Sequence, residues 1–253
     1  MKARLHRNID FVRIPIQAGV SEYYLPQNVA WAEKKIDEII VVAPSIAGTL
    51  DPVDGQSIVM DRANLSDLYF NLYSADENEL THDMSYEQIL HINNYRIPVN
   101  EVLSLVTSRL YFTTAPTSDF TLLLYVIYDS KIVDDFDVPQ RSVTVEFPML
   151  ANEQIDLRYI LNTYLHAIPK TLKGIICWNA ETAPAYITLR DYALTYNIRD
   201  AHSELMRPDM NGGTAYGSQL HPFYTDSLDI DFDYSHIRNA QNAPCTQKIT
   251  FMY

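Results

Sequence analysis

The 253-residue sequence predicts an all-β chain in which two β-sandwiches of the same design follow one another. Three observations lead there. Tyr is abundant at 18 residues and Gly scarce at 7, and with frequent Val, Ile and Thr this balance favours strands over a helical bundle. Apolar and polar residues alternate in Ser227-Leu228-Asp229-Ile230-Asp231-Phe232-Asp233-Tyr234, the pattern of a half-buried strand. The second half also repeats the hydrophobic pattern of the first, element by element and in the same order.

Val12-Arg13-Ile14-Pro15-Ile16 opens the first copy, and Val145-Glu146-Phe147-Pro148-Met149 opens the second. Glu22-Tyr23-Tyr24-Leu25 returns loosely as Glu153-Gln154-Ile155-Asp156. Ile36 to Val42 returns as Leu172 to Trp178, and Leu68 to Leu72 as Ala185 to Leu189. The runs Ile36 to Val42 and Leu122 to Tyr128 are so apolar that they predict central strands buried on both faces. Both halves close on a strand pair: Leu103 to Phe112 with Phe120 to Tyr128, and Leu228 to Ile237 with Thr246 to Tyr253.

Turn chemistry marks Asp54-Gly55, Ala115 to Asp119, Asn239 to Pro244 and the Met210-Asn211-Gly212-Gly213 loop. Ser85 to Leu90 predicts a short helix, and Gln154 to His166 a helix or an irregular strand. An insertion of roughly twenty residues, about Ser45 to Asn64, predicts a surface loop on the first copy only, cheap because closure entropy grows logarithmically. The acidic, Pro-containing segment Asp134 to Gln140 is the natural linker. The expected organisation is an N-terminal arm over 1–10, a first sandwich over 11–138 and a second over 139–253.

Bulk properties narrow the function. A hydrophobic content of 47% and a mean hydropathy of -0.15 describe a soluble globular chain, with no apolar run long enough to span a bilayer. The N-terminus leads into Asn8-Ile9-Asp10 rather than an apolar stretch, so no secretory signal is expected and synthesis is assigned to a cytoplasm. A net charge of -13 and a pI near 4.8 argue against specific nucleic-acid binding, which needs clustered Lys and Arg. Cys177 and Cys245 form no disulfide framework or metal-ligand spacing, and Cys177 reads as a buried small hydrophobe.

No catalytic motif stands out. Gly-x-Ser-x-Gly, a phosphate loop, His-Glu-x-x-His and Cys-x-x-Cys are all missing from the sequence. His202-Ser203-Glu204 offers nucleophile and base chemistry, but neighbours in sequence point in different directions, and no enzyme is predicted. Asp229, Asp231 and Asp233 would share one face of a strand. They are candidate Ca²⁺ ligands, set against an exposed or paired carboxylate face and an otherwise cofactor-free chain. Lys2, Arg4, His6 and Arg7 form the one basic cluster, either a solvated tail or a contact with an anionic surface. The aromatic pairs Tyr23-Tyr24, Tyr69-Phe70 and Tyr111-Phe112 each place one ring in the core and leave the other to cover a face or fill an interface.

The two matched opening strands, with Ile36–Val42 against Leu172–Trp178 and Leu68–Leu72 against Ala185–Leu189, resemble the double jelly-roll major capsid proteins of tailless icosahedral phages with an internal membrane. The resemblance covers nearly the whole chain from Phe11 to Tyr253 and rests on strand order and duplication rather than on a signature motif. It implies a double jelly roll with short helical segments in loops, and a homotrimer whose six upright jelly rolls form a pseudo-hexagonal tile of an icosahedral shell. It further implies a place in the virion capsid, penton or minor capsid proteins as partners, and Lys2, Arg4 and Arg7 facing an internal membrane. The chain is short for that family, which leaves little room for tower loops. Other readings are a ring, tail or spike β-sandwich protein of a phage virion, or a carbohydrate-binding or carbohydrate-cleaving β-sandwich protein. Missing disulfides and signal weigh against a secreted sugar binder.

Overall fold

The computed structural model describes residues 4–41, 50–51, 54–56, 65–93, 96–133, 141–164, 172–180, 182–192, 196–206, 223–228 and 230–253. The first half forms β1 (Arg4–Ile16), β2 (Glu22–Tyr24), β3 (Lys35–Val41), β4 (Leu68–Tyr73), β5 (Glu79–Ser85), α1 (Tyr86–Asn93), β6 (Arg96–Val102), β7 (Arg109–Phe112) and β8 (Phe120–Val133). The second half forms β9 (Ser142–Met149), β10 (Gln154–Asp156), α2 (Leu157–Tyr164), β11 (Leu172–Cys177), β12 (Ala185–Arg190) and β13 (Tyr196–His202). A turn of 3-10 helix, Ser203–Met206, then leads on to β14 (Phe223–Leu228), β15 (His236–Asn239) and β16 (Cys245–Met252). The chain is thus mostly β with few helices.

Strand neighbours repeat between the halves. In the first, the orders are β1-β8-β3-β6 and β2-β7-β4-β5; in the second, β9-β16-β11-β14 and β10-β15-β12-β13. Numbered one to eight within a copy, both are 1-8-3-6 and 2-7-4-5. β1 lies beside β13, so β10-β15-β12-β13 and β1-β8-β3-β6 run on as one eight-stranded sheet, whereas β9 is an edge strand, where Pro148, without an N–H, costs least.

Contacts divide the chain into two compact units that are not two continuous halves. One comprises Asp10–Ala47 and Ile58–Asp129; the other comprises Met1–Ile9, Gly48–Ser57 and Ser130–Tyr253. The first unit's core gathers Val12, Ile14, Trp31, Ile36, Ile39, Ile40, Phe70, Leu72, Leu110 and the run Leu122 to Tyr128. The second gathers Val145, Phe147, Ile160, Leu161, Ile175, Ile187, Leu189, Ile237, Ile249 and Phe251.

Every sequence match between the copies pairs equivalent strands, but several details differ from expectation. The arm expected over 1–10 is strand from Arg4 onward, and Ile9 pairs in parallel with Ile198 of β13. Of the insertion, Leu50, Asp51 and residues 54–56 are described, and they cluster with the second unit. Leu50 is buried, and the Leu50 N–H donates to the Ala240 carbonyl at 2.6 Å. Gly55 turns this segment at φ 68°, with its N–H on the Asp51 carbonyl at 2.9 Å. The long strands expected over Leu103–Phe112 and Leu228–Ile237 shorten to β7 and β15, because turns occupy residues 105–107 and 232–234. Gln154 to His166 resolves into strand β10 and helix α2, whose Leu157, Ile160 and Leu161 are buried. The linker 134–140 and the Met210–Gly213 loop lie outside the described residues.

Candidate functional site

The shortened strands share one device. In the first copy, Ser108 is wholly buried; its Oγ accepts the Tyr73 N–H at 3.0 Å and donates to the Tyr73 carbonyl at 3.2 Å. In the second, Ser235 is equally buried and makes the same two bonds with Arg190, at 3.0 and 3.3 Å. The backbone repeats as well: the Ser108 N–H reaches the Ser104 carbonyl at 2.9 Å, and the Ser235 N–H reaches the Asp231 carbonyl at 2.9 Å. Bridges Ser74–Leu103 and Asp191–Ile230 close both turns. A buried hydroxyl thus satisfies both backbone groups of the facing strand where the ladder stops.

That turn decides the fate of the acidic ladder. Asp229 lies outside the described residues, and Asp231 and Asp233 do not sit on a strand. Asp231 is buried, and its Oδ1 accepts the Asp233 N–H at 3.2 Å. Asp233 is exposed and grips the Arg158 guanidinium through Nε and Nη2, the latter at 2.9 Å. Asp231 and Asp233 thus depart from the strand alternation expected of them, since Asp231 and Phe232, adjacent in sequence, are both buried. Among the described residues no three His, Cys, Asp or Glu side chains come together as metal ligands.

A second repeated device lies across the β4–β5 and β12–β13 pairs. The register slips between Phe70 and Leu72, and again between Ile187 and Leu189. The bulged residues are Asp83 at φ 49° and Asp200 at φ 47°, a left-handed conformation that Asp tolerates. Asp83 donates its N–H to Asn71 Oδ1 at 2.5 Å, and Asp200 donates to Thr188 Oγ1 at 3.1 Å. Their carboxyls differ. Hydrogen bonds from Tyr111 and Asn71 hold Asp83 below the usual carboxylate value, whereas burial raises Asp200.

The outward surface of β2-β7-β4-β5 is rich in tyrosine. Tyr69 and Tyr111 are cross-strand partners with ring centroids 5.4 Å apart. The Tyr111 hydroxyl donates to Asp83 at 2.8 Å, and burial together with that bond pushes its pKa up to about 12. Tyr24, 52% exposed, donates to Glu22 at 2.8 Å, and Glu22 also pairs with Arg109 at 3.1 Å. Equivalent positions in the second copy, fixed by strand register, are Asp156 for Tyr24, Arg238 for Tyr111, Arg190 for Tyr73 and Tyr186 for Tyr69. Tyr186 is buried at 1% exposure, unlike half-buried Tyr69.

The outward surface of β9 and β16 is also open. Thr246 and Lys248 are exposed on β16, and Glu146 on β9 pairs with Lys248 at 2.7 Å. Trp178, 40% exposed, donates its indole N–H to Thr250 at 2.7 Å, and Thr250 meets Thr144 at 2.6 Å. The matching strand of the first copy, β8, is instead buried on both faces from Leu122 to Tyr128.

The remaining candidates are structural in setting. Ser203, fully buried, accepts the Ala185 N–H at 2.9 Å. His202 is buried edge-on to Tyr186, and burial pushes its pKa down to about 3. Burial pushes the Cys177 thiol up. Cys245 is half-buried beside Leu150 and Pro244 on an open groove of about 460 Å³. Lys2 lies outside the described residues, while Arg4 and Arg7 belong to β1.

No family model matches the chain, and no curated protein matches it. Three solved structures show distant likeness. The crystal structure of the STIV MCP aligns over 98% of this chain and 96% of that one, with 11% identity and a TM-score of 0.28. A chain in the atomic structure of Sulfolobus Turreted Icosahedral Virus aligns over 98% and 90%, with 10% identity and a TM-score of 0.27. A cupin 2 conserved barrel domain protein from Leptotrichia buccalis aligns over 100% and 89%, with 6% identity and a TM-score of 0.20. Likeness at this level assigns neither fold nor activity by itself.

Proposed function

We propose that this chain is a viral major capsid protein: a double jelly roll that assembles as pseudo-hexagonal trimers into an icosahedral shell over an internal membrane. The observation that carries the reading is the strand order 1-8-3-6 with 2-7-4-5, repeated in one polypeptide. Two sheets of four strands in this order make a jelly roll, a fold well used in capsids. Two such units per chain let a threefold assembly present nearly sixfold edges. Repetition of the buried-serine turn and the left-handed Asp supports two copies kept for shape, since neither device carries reactive chemistry.

The roles proposed for other parts follow from that assembly. The protein is not an enzyme and needs no cofactor. Lys2, Arg4 and Arg7 face anionic lipid at the inner surface, and penton or minor capsid proteins complete the vertices. Light scattering after size-exclusion, followed by negative-stain imaging, tests the reading. Trimers that close into shells are expected; a chain that stays monomeric under all assembly conditions overturns it. Replacing Arg4 and Arg7 with Glu should abolish recruitment to anionic vesicles while leaving trimers intact. Undiminished recruitment would remove the membrane contact from the proposal.

A further inference from the structure

One end of the second unit gathers exposed tyrosines beside arginines. It is made by the end of β12, the turn at 231–235 and the start of α2. Tyr159 is 65% exposed, and Tyr192 and Tyr234 are 59% exposed. Backbone bonds hold the three segments together. The Asp231 N–H reaches the Arg190 carbonyl at 2.8 Å, the Arg158 N–H reaches Phe232 at 3.1 Å, and the Leu157 N–H reaches Ser235 at 2.8 Å. Arg190 lies over the Tyr234 ring at 4.9 Å, and Arg158 donates to both carboxylate oxygens of Asp233 and to Tyr192. Leu157, Ile160 and Leu161 face the core from α2 and leave Tyr159 outside.

Strand β1 starts at the same end. It pairs in parallel with β13 at Ile9 and Ile198, so its first residues, Arg4 to Arg7, run toward the start of β13, where Tyr196 pairs with Arg190. Met1–Ile9 also belongs to this unit. Backbone register thereby sets the basic cluster of a chain of net charge -13 at the end that carries the exposed tyrosines. The first copy has no such arrangement. Its closing bridge and buried serine align Ala75 with Tyr192, Tyr73 with Arg190, Thr107 with Tyr234 and Val106 with Asp233. After Ala75 come exposed Asp76 and Glu77, which are acidic. The tyrosines and arginines thus belong to one copy and not to the shared scaffold.

We infer that this tyrosine–arginine end of the second unit lies on an anionic lipid surface. It rests on the membrane contact proposed above and gives that contact a folded part beyond the first residues of the chain. Tyrosine suits the lipid–water boundary because its ring is apolar and its hydroxyl polar. Arginine is drawn to anionic headgroups, and Arg158 neutralises Asp233, which would otherwise be repelled. Charge alone or apolar area alone gives weak, reversible membrane binding, and this end supplies both. Nucleic acid fits less well, since its dense phosphates demand clustered Lys and Arg from a chain that is acidic overall.

Flotation with vesicles of phosphatidylcholine mixed with phosphatidylglycerol tests the contact, with near-ultraviolet circular dichroism as the check on folding. Tyr159→Ser with Tyr192→Ser should weaken binding by roughly tenfold, because binding follows buried apolar area as well as charge. Wild-type protein should keep part of its binding at high salt, where charges are screened, and the Ser variant should keep none. Tyr159→Trp with Tyr192→Trp should bind at least as tightly as wild type, with a blue shift of emission on the vesicles. A Ser variant that binds like wild type, or a Trp variant whose emission does not move, overturns the inference.

Hydrogen exchange on wild-type protein gives an answer independent of the variants. Vesicles should slow exchange at the start of α2 and across 231–235; slowing confined to β1 sinks this surface. Binding that is lost in Arg4→Glu with Arg7→Glu but unchanged in the Ser variant rejects the tyrosine end and leaves the membrane contact standing. Wild-type protein that ignores vesicles, or that captures single-stranded nucleic acid in their place, rejects both.

Discussion

Ser108 and Ser235 are the residues whose loss tells most about the duplication, because each hydroxyl serves both a buried N–H and a carbonyl. Ser108→Ala or Ser235→Ala should cost about 1–3 kcal/mol in denaturant unfolding, the penalty of an orphaned buried group. A loss near zero would show that the turns hold without the hydroxyl. Asp83 and Asp200 form a second matched pair with opposite acid–base behaviour. Asp83 sits below its ordinary pKa, so it adds stability above the usual carboxylate range and loses it as acid protonates the folded form. Asp200 sits above its ordinary value, so the native state binds its proton more readily and this residue's contribution rises as pH falls toward the unfolded value. Asp83→Asn should therefore destabilise at neutral pH, and Asp200→Asn should stabilise, since Asn also accepts the left-handed backbone. The Asp83 difference should fade as pH drops below about 4, whereas the Asp200 difference should already have faded by the time pH has fallen to about 4. Parallel pH profiles for the two variants would contradict the assignment. Neither pair was visible in the sequence, because the serines sit inside runs that read as strand and the bulges depend on register.

At the scale of the element, α1 carries a capping box. The Ser85 hydroxyl accepts the Gln88 N–H at 3.2 Å, and the Gln88 side chain accepts the Ser85 N–H at 2.9 Å. Ser85→Ala should cost about 0.5–2 kcal/mol, read as a lower thermal midpoint. This helix was legible from Ser85-Tyr86-Glu87-Gln88 because its signal is local. The opening strands, β3, β4, β8 and their counterparts were legible for the same reason, through apolar runs that need no partner to be recognised. Strands β5, β6, β13 and β14 were not singled out. Glu79 to Ser85 is polar, Arg96 to Val102 contains Pro98, and both gain strand structure only from a neighbour. The acidic segment shows the opposite error, where Ser227 to Tyr234 has the alternation of a strand but folds partly as a turn. With Asp231 turned to its own backbone and Asp233 held by Arg158, chelator treatment should leave the melting temperature unchanged. A chelator-induced drop would restore the cation.

For the whole molecule, the described strands have the same neighbours in both halves, in line with the repeat read from the sequence, while contacts gather the chain into two units that are not continuous. The clearest mark is Leu50, which lies in the first half of the sequence yet is buried in the second unit. Leu50→Ala should destabilise by about 2–5 kcal/mol, the range for emptying a buried leucine site. Hydrogen exchange should place the loosening around Ala240; loosening confined to β3 and β4 would refute the docking of this loop. Sequence could mark the insertion by its length but not its destination, since burial of Leu50 is fixed by a contact nearly two hundred positions away.

The division of the chain has a further consequence for how such a protein is made and inherited. The second unit draws on Met1–Ile9 and Gly48–Ser57, segments that leave the ribosome well before Ser130. Those early pieces must wait for the unit they belong to, so the first unit is expected to fold around two loose ends. A gene severed at the linker would yield a second fragment lacking both pieces. That fragment is expected to be less stable alone than the same unit is in the whole chain.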